Sequence, residues 1–216
     1  MSGHRLRYLV RDVDAPAGLL VLLHGRGSGE RDLLPLVDLL DPDRRLLAVL
    51  PRGPLRLPPG GAHWYAVREL GYPDPDTFSS TVARTSTWLD ELAAERNVPP
   101  ERIVLGGFSQ GAVMTYALGL AAGRPRPAAL IAFSGFVPTV PGFRLDLGPP
   151  LPAIAIGHGA LDPVIGIEWG RRAHDLLVEA GAEVLYRESE LLGHGIDRAL
   201  LHELAGWLRG VLGPGR

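Results

Sequence analysis

A chain of 216 residues with 46% apolar and 21% charged residues, no cysteine and a formal charge of −2 is long and apolar enough to bury a sizeable core. It cannot form disulfides, thiolate nucleophiles or cysteine-ligated metal centres, and its charge offers no general attraction to nucleic acid or acidic membranes. All 22 basic residues are arginine, which excludes Schiff-base chemistry, a P-loop lysine and a Ser–Lys dyad.

From the N-terminus, Met1 to Arg7 leads into a short mixed run, and the longest apolar run nearby is Leu19 to Leu23. That run is too short for a signal-peptide core or a membrane span, so a cytoplasmic protein without membrane partners is expected. Short runs rich in Val, Ile and Leu then recur. Strands are expected over 7–11, 19–24, 46–50, 102–106, 129–133, 153–157 and 183–187. The inner ones are apolar on both faces, as in a parallel sheet covered by helices on each side. Between them, helical spacing occupies 31–40, 77–96, 110–121, 167–180 and 196–211. Asp76 is placed to cap the second helix, Asn97 and Pro99-Pro100 to end it, and Gly181 to end the fourth. Alternating strand and helix argues for a doubly wound, mostly parallel sheet in one α/β domain over residues 1–216. The proline-rich stretches 51–75 and 136–152 fit neither period. Both follow strands, where an open α/β sheet builds its ligand crevice.

The chemistry gathers at strand ends. Gly107-Phe108-Ser109-Gln110-Gly111 matches G-x-S-x-G between a strand and a helix. A sharp turn there strains the serine backbone and exposes Oγ above the sheet edge, and small neighbours let strand and helix approach. The competing reading is a serine that merely caps the following helix. A serine nucleophile needs a base held by a third group, and hydrolases with this elbow place them in the order Ser, acid, His. Asp162, after the strand at 153–157, and His194, after the last strand, satisfy that order on the same rim. His158 and His202 compete as bases, the first better suited to shaping its turn. Asp146 competes as the acid, and Asp197 lies too close to His194 along the chain.

Leu22-Leu23-His24-Gly25-Arg26-Gly27-Ser28-Gly29 also follows a strand. Its amides can aim at an acyl oxygen as negative charge develops. The donors expected are the backbone N–H groups of Gln110 and Arg26. The Arg26 side chain is expected in a surface ion pair with Glu30 or Asp32, and His24 is expected to bond the loop backbone. The run is a poor dinucleotide fingerprint, because Glu30 replaces the last glycine of G-x-G-x-x-G and Pro51-Arg52-Gly53 ends the next strand. The histidines occur singly, so no catalytic metal is expected.

At these residues the chain resembles the carboxylesterase/phospholipase family of α/β-hydrolases, which includes acyl-protein thioesterases and small bacterial carboxylesterases. The resemblance covers nearly the whole chain. It rests on Leu23 to Gly27, Gly107 to Ala112, His158-Gly159-Ala160-Leu161-Asp162-Pro163-Val164, and Gly193-His194-Gly195-Ile196. It implies a Ser109–Asp162–His194 triad, serine esterase activity, no cofactor, no large cap domain and frequently a dimer. There are departures. Trp64-Tyr65-Ala66 stands where relatives often carry an aromatic pair and Asp, Gly166 where proline is common, and seven strands are expected instead of eight. The likeness to dienelactone hydrolases is more distant, since those typically use a cysteine nucleophile.

The expected function is hydrolysis of small-molecule carboxylic esters, short to medium in acyl length. Trp64 is expected to line the pocket. Thioester or lysophospholipid hydrolysis would use the same triad, and a non-catalytic binding protein is the competing class. The stretch 136–152 holds four prolines before its last residue, so it cannot form a long lid helix, and an open, preformed site follows.

Overall fold

The computed structural model describes residues 6–69 and 71–213; the opening run Met1 to Arg5 lies outside them. Seven strands form one sheet, in the order β1-β3-β2-β8-β9-β10-β11. They are β1 (Tyr8–Arg11), β2 (Gly18–Leu23), β3 (Leu46–Pro51), β8 (Ile103–Phe108), β9 (Ala129–Phe133), β10 (Ala153–Gly159) and β11 (Val184–Ser189). Only β1 runs antiparallel, pairing Tyr8 with Pro51 and Arg11 with Ala48. Every other neighbour pair is parallel. Each expected strand is present, shifted by two residues at most at either end.

The helices are α1 (Leu34–Leu40), α2 (Pro75–Glu95), α3 (Gln110–Leu120), α4 (Ile167–Glu179) and α5 (Arg198–Leu212). They cover the sheet on both sides. One core packs α2, α3 and α4 against Leu19, Val21, Leu105, Leu130 and Ile154. The other packs α1 and α5 against Leu20, Leu22, Val104, Ile131 and Ala155. Alternate residues of β2 and β8 thus serve opposite faces, which is why these strands read as unbroken apolar runs. In α3 every residue is buried, so this helix is held by the fold around it rather than by an amphipathic stripe.

Two details differ from expectation. The cap of α2 is Asp74, not Asp76: its carboxylate accepts from the Thr77 amide and hydroxyl at 3.0 and 2.8 Å. Pro75 then opens the helix, where its missing N–H costs nothing. Beyond α2, Asn97 takes φ 53°, and after α4 Gly181 takes φ 86°, both ending their helices as expected. The stretch 51–75 holds two hairpins that no periodicity announced, β4 (Leu55–Leu57) with β5 (Gly61–His63) and β6 (Val67–Glu69) with β7 (Tyr72–Pro73). The stretch 136–152 contains no helix. Among the described residues no helix is long and apolar enough to cross a membrane.

Candidate active site

Ser109 stands at the turn from β8 into α3 with φ 54° and ψ −117°, a conformation that costs a side-chain-bearing residue backbone strain. The surroundings impose it. A Cβ on Gly107 would strike the Gly111 backbone, and one on Gly111 would strike the carbonyls of Leu23 and His24. Two glycines therefore let β8, α3 and β2 close on the turn, and the Ser109 amide is tied to Phe133 O at 2.8 Å. The hydroxyl makes no capping bond to α3. It faces His194 Nε2 at 3.0 Å instead.

His194 lies five residues beyond β11, and its Nδ1 meets Asp162 Oδ2 at 2.7 Å. Asp162 lies three residues beyond β10, its carboxylate wholly shielded from solvent. Burial alone would raise its pKa. The hydrogen bonds from His194 and from the amides of Ile165 and Val164, at 2.9 and 2.8 Å, outweigh burial and hold the carboxyl below its ordinary value. An ionised Asp162 accepting from Nδ1–H leaves Nε2 free to accept from Ser109. The Phe108 ring packs against the imidazole at 4.7 Å.

The rival residues sit elsewhere. His158 is buried with Nε2–H on Ile165 O at 2.7 Å, bracing the Asp162 turn. His202 is exposed on α5, Asp146 pairs with Arg126, and Asp197 caps α5. Among the described residues no group of three His, Asp or Glu is placed to hold a metal ion.

The glycine loop after β2 is held on its outer side by β5. Gly27 donates to Ala62 O at 2.8 Å, and Ala62 donates to Ser28 O at 2.7 Å. A Cβ at Gly61 would collide with Gly27 O. His24 donates from Nδ1 to Gly25 O at 2.7 Å and accepts the Gly53 amide on Nε2 at 2.9 Å. Both ring nitrogens are thereby committed to a neutral tautomer, and burial pushes the imidazole pKa down. The amides of Arg26 and Gln110 have no backbone acceptor among the described residues. Two unspent N–H groups, one in the glycine loop and one at the start of α3 beside Ser109, can receive an oxyanion.

Trp64 is not where the sequence placed it. The side chain is fully buried and does not line the cavity at Ser109. Its indole N–H donates to His24 O at 2.8 Å, and its amide donates to Gln110 Oε1 at 2.7 Å. Gln110 Nε2 in turn donates to Tyr65 O at 2.7 Å. Trp64 thus ties the glycine loop that carries the Arg26 amide to Gln110 at the start of α3. The reason is the course of the chain: β5 runs under the glycine loop and carries residue 64 inward.

The cavity itself, about 440 Å³, is bounded by Ser109 and His194 and walled by Tyr65, Val67, Tyr72, Phe136, Val164 and Ile165. Of these lining positions Tyr65 was marked from the sequence, beside Trp64 on the proline-stiffened rim; the others were not, because short loop segments carry no period to reveal them. The β6–β7 hairpin rests on Trp169 of α4, where a Cβ on Gly71 would meet the indole ring. Phe136 packs on the same ring at 5.1 Å. The Arg26 side chain is exposed and also lines the cavity. It does not pair with Glu30 or Asp32. Glu30 is buried and already held by Arg7 at 2.8 Å and Arg52 at 3.0 Å.

A mostly parallel seven-stranded sheet with a serine elbow at its central strand is that of an α/β-hydrolase. Residues 8–212 match the family described as Phospholipase/Carboxylesterase, and the chain belongs to that family. Acyl-protein thioesterase 1 of Candida albicans is 27% identical, with 98% of this chain and 99% of its own length covered. Among solved structures, esterase PE8 superposes with a TM-score of 0.83 at 26% identity, covering 95% of this chain and 98% of its own. The Bacillus cereus carboxylesterase gives 0.83 at 24% identity, covering 97% and 96%. The protein is accordingly an enzyme of the hydrolase class.

Proposed function

We propose that the protein hydrolyses carboxylic esters through an acyl-enzyme on Ser109. His194 takes the hydroxyl proton as Oγ attacks the carbonyl carbon, and Asp162 holds the imidazole and stabilises its charged form. The amides of Gln110 and Arg26 receive the developing oxyanion, each such donor contributing roughly 3–4 kcal/mol in the transition state. His194 returns the proton to the leaving alcohol. Water, deprotonated by the same imidazole, then releases the acid. The observation that carries this reading is the continuous line Ser109 Oγ to His194 Nε2 at 3.0 Å and His194 Nδ1 to Asp162 at 2.7 Å, opening on a cavity.

The substrates proposed are soluble esters of short to medium acyl length. A cavity of about 440 Å³ walled by aromatic and branched side chains fits a modest acyl group. The helix-free stretch 136–152 offers no lid to open at an interface. Thioesters are a second reading, favoured by relatives named acyl-protein thioesterase 1, and the same groups would cleave them.

Initial rates on a nitrophenyl-ester series and on matched thioesters test both. Rates should peak at short to medium chains and show no jump when emulsion forms. A maximum at palmitate, or a sharp rise at the interface, would overturn the open-site reading. Labelling of wild type but not Ser109→Ala by a fluorophosphonate separates an enzyme from a binding protein.

A further inference from the structure

Among the described residues the Arg26 guanidinium has no partner. It makes no ion pair or side-chain hydrogen bond with any described residue, and it is the one guanidinium on the wall of the cavity that holds Ser109 and His194. The neighbouring anion that could have neutralised it is spent, because Glu30 is buried under Arg7 and Arg52. Its backbone is fixed all the same. The Gly27 amide is tied to Ala62 O at 2.8 Å, so the residue before it leaves the loop from a set position. Gln110 beside Ser109 is polar, and the other walls near Ser109 are apolar or aromatic. Glu69, the cavity's one carboxylate, sits on the exposed β6 strand of the outer hairpin.

A neutral acyl ester in this cavity would leave the exposed guanidinium to water and gain nothing from its charge. A substrate with a carboxylate several bonds from its scissile carbonyl would meet the guanidinium's paired donors, whose fork matches a carboxylate. Since the Arg26 amide is also a proposed oxyanion donor, one residue would grip both ends of the acyl portion: the reacting oxygen through its backbone and the distal anion through its side chain. We propose that Arg26 is a specificity-determining residue that selects carboxylate-bearing esters, half-esters of dicarboxylic acids being the simplest. This rests on the ester-hydrolase reading above.

The test compares 4-nitrophenyl hydrogen adipate with 4-nitrophenyl methyl adipate, which have the same reacting centre and nearly the same length and differ in one charge. Wild type should favour the charged ester in kcat/KM by several-fold to about tenfold, the cavity being open to water. The preference should shrink as salt is added. In Arg26→Gln the charged-to-neutral ratio should fall to about one or below. Because the ratio is taken within each variant, any change in the oxyanion donor cancels. Adipate itself should inhibit wild type more strongly than Arg26→Gln. A wild-type ratio of one or less, or a preference that survives in Arg26→Gln, overturns the assignment of Arg26 while leaving ester hydrolysis standing. If neither ester is cleaved and Ser109 resists a fluorophosphonate, both readings fall together.

Discussion

The serine turn and the stretch 51–75 border one cavity and are built in opposite ways. The turn joins two long elements, and its geometry is forced from within by Gly107 and Gly111, which let β8, α3 and β2 touch. The stretch 51–75 has strands of only two or three residues. It is held from outside, by β5 on the glycine loop and by Trp64 on His24 and Gln110. The nucleophile and the adjoining Gln110 amide are thus placed by the main fold, and the loop that carries the Arg26 amide is held by an accessory strap. Damage to the first should abolish chemistry, and damage to the second should weaken it.

The largest effect tests the first half of that contrast. Ser109→Ala and His194→Ala should each lose roughly 10⁴–10⁶-fold in kcat while folding normally, and the double variant little more. Retention of a tenth of wild-type activity in either would end the triad assignment. The strap variants should do less. Trp64→Phe keeps an aromatic ring but loses the indole N–H to His24 O, so kcat should fall roughly tenfold with KM little changed. The fraction labelled by a fluorophosphonate should stay the same. A raised KM at unchanged kcat would instead return Trp64 to the substrate pocket. Gly61→Ala, whose methyl group would press on Gly27 O, should copy the kcat loss without touching the serine turn.

The smallest effect lies at the far end of the strap, at the cap of α2. Hydrogen bonds from Thr77 and then Arg68 pull the Asp74 pKa down to about 2 from an ordinary 3.8. A depressed carboxyl contributes stability that is fully present above its unfolded value and lost as pH falls toward the folded one. Asp74→Ala should therefore lower Tm at neutral pH, and the gap from wild type should close between about pH 4 and pH 2. A gap independent of pH would mean that the cap acts through packing rather than charge.

What could be read from the sequence follows the same division. The sheet strands were legible because burial on both faces leaves unbroken apolar runs, as in β2 with Leu19 to Leu23. Ser109, Asp162 and His194 were legible because strand ends bring them to one rim and the hydrogen bonds between them need no further partner. Trp64 was not, since its partners are 40 and 46 residues away and nothing local marks a loop tryptophan as buried. The Arg26 pairing failed for a similar reason. Glu30 is near in sequence, but Arg7 and Arg52 reach it from just before β1 and just after β3. The misplaced cap was avoidable: Asp74 precedes Pro75, the residue type favoured at the first helical position, so the cap had to be Asp74.

The left-handed turn at Ser109 sets activity against durability. Only glycine adopts φ 54°, ψ −117° without strain, and holding a serine there costs about 1–3 kcal/mol. A Ser109→Gly chain would keep every contact that encloses the turn and shed that strain, so the dead protein should outlast the living one in a thermal melt. Selection for folding alone would therefore erode this position first. A lineage that kept the fold but lost its need for catalysis would drift toward glycine at 109 long before it disturbed Gly107 or Gly111, whose replacement the architecture does not tolerate.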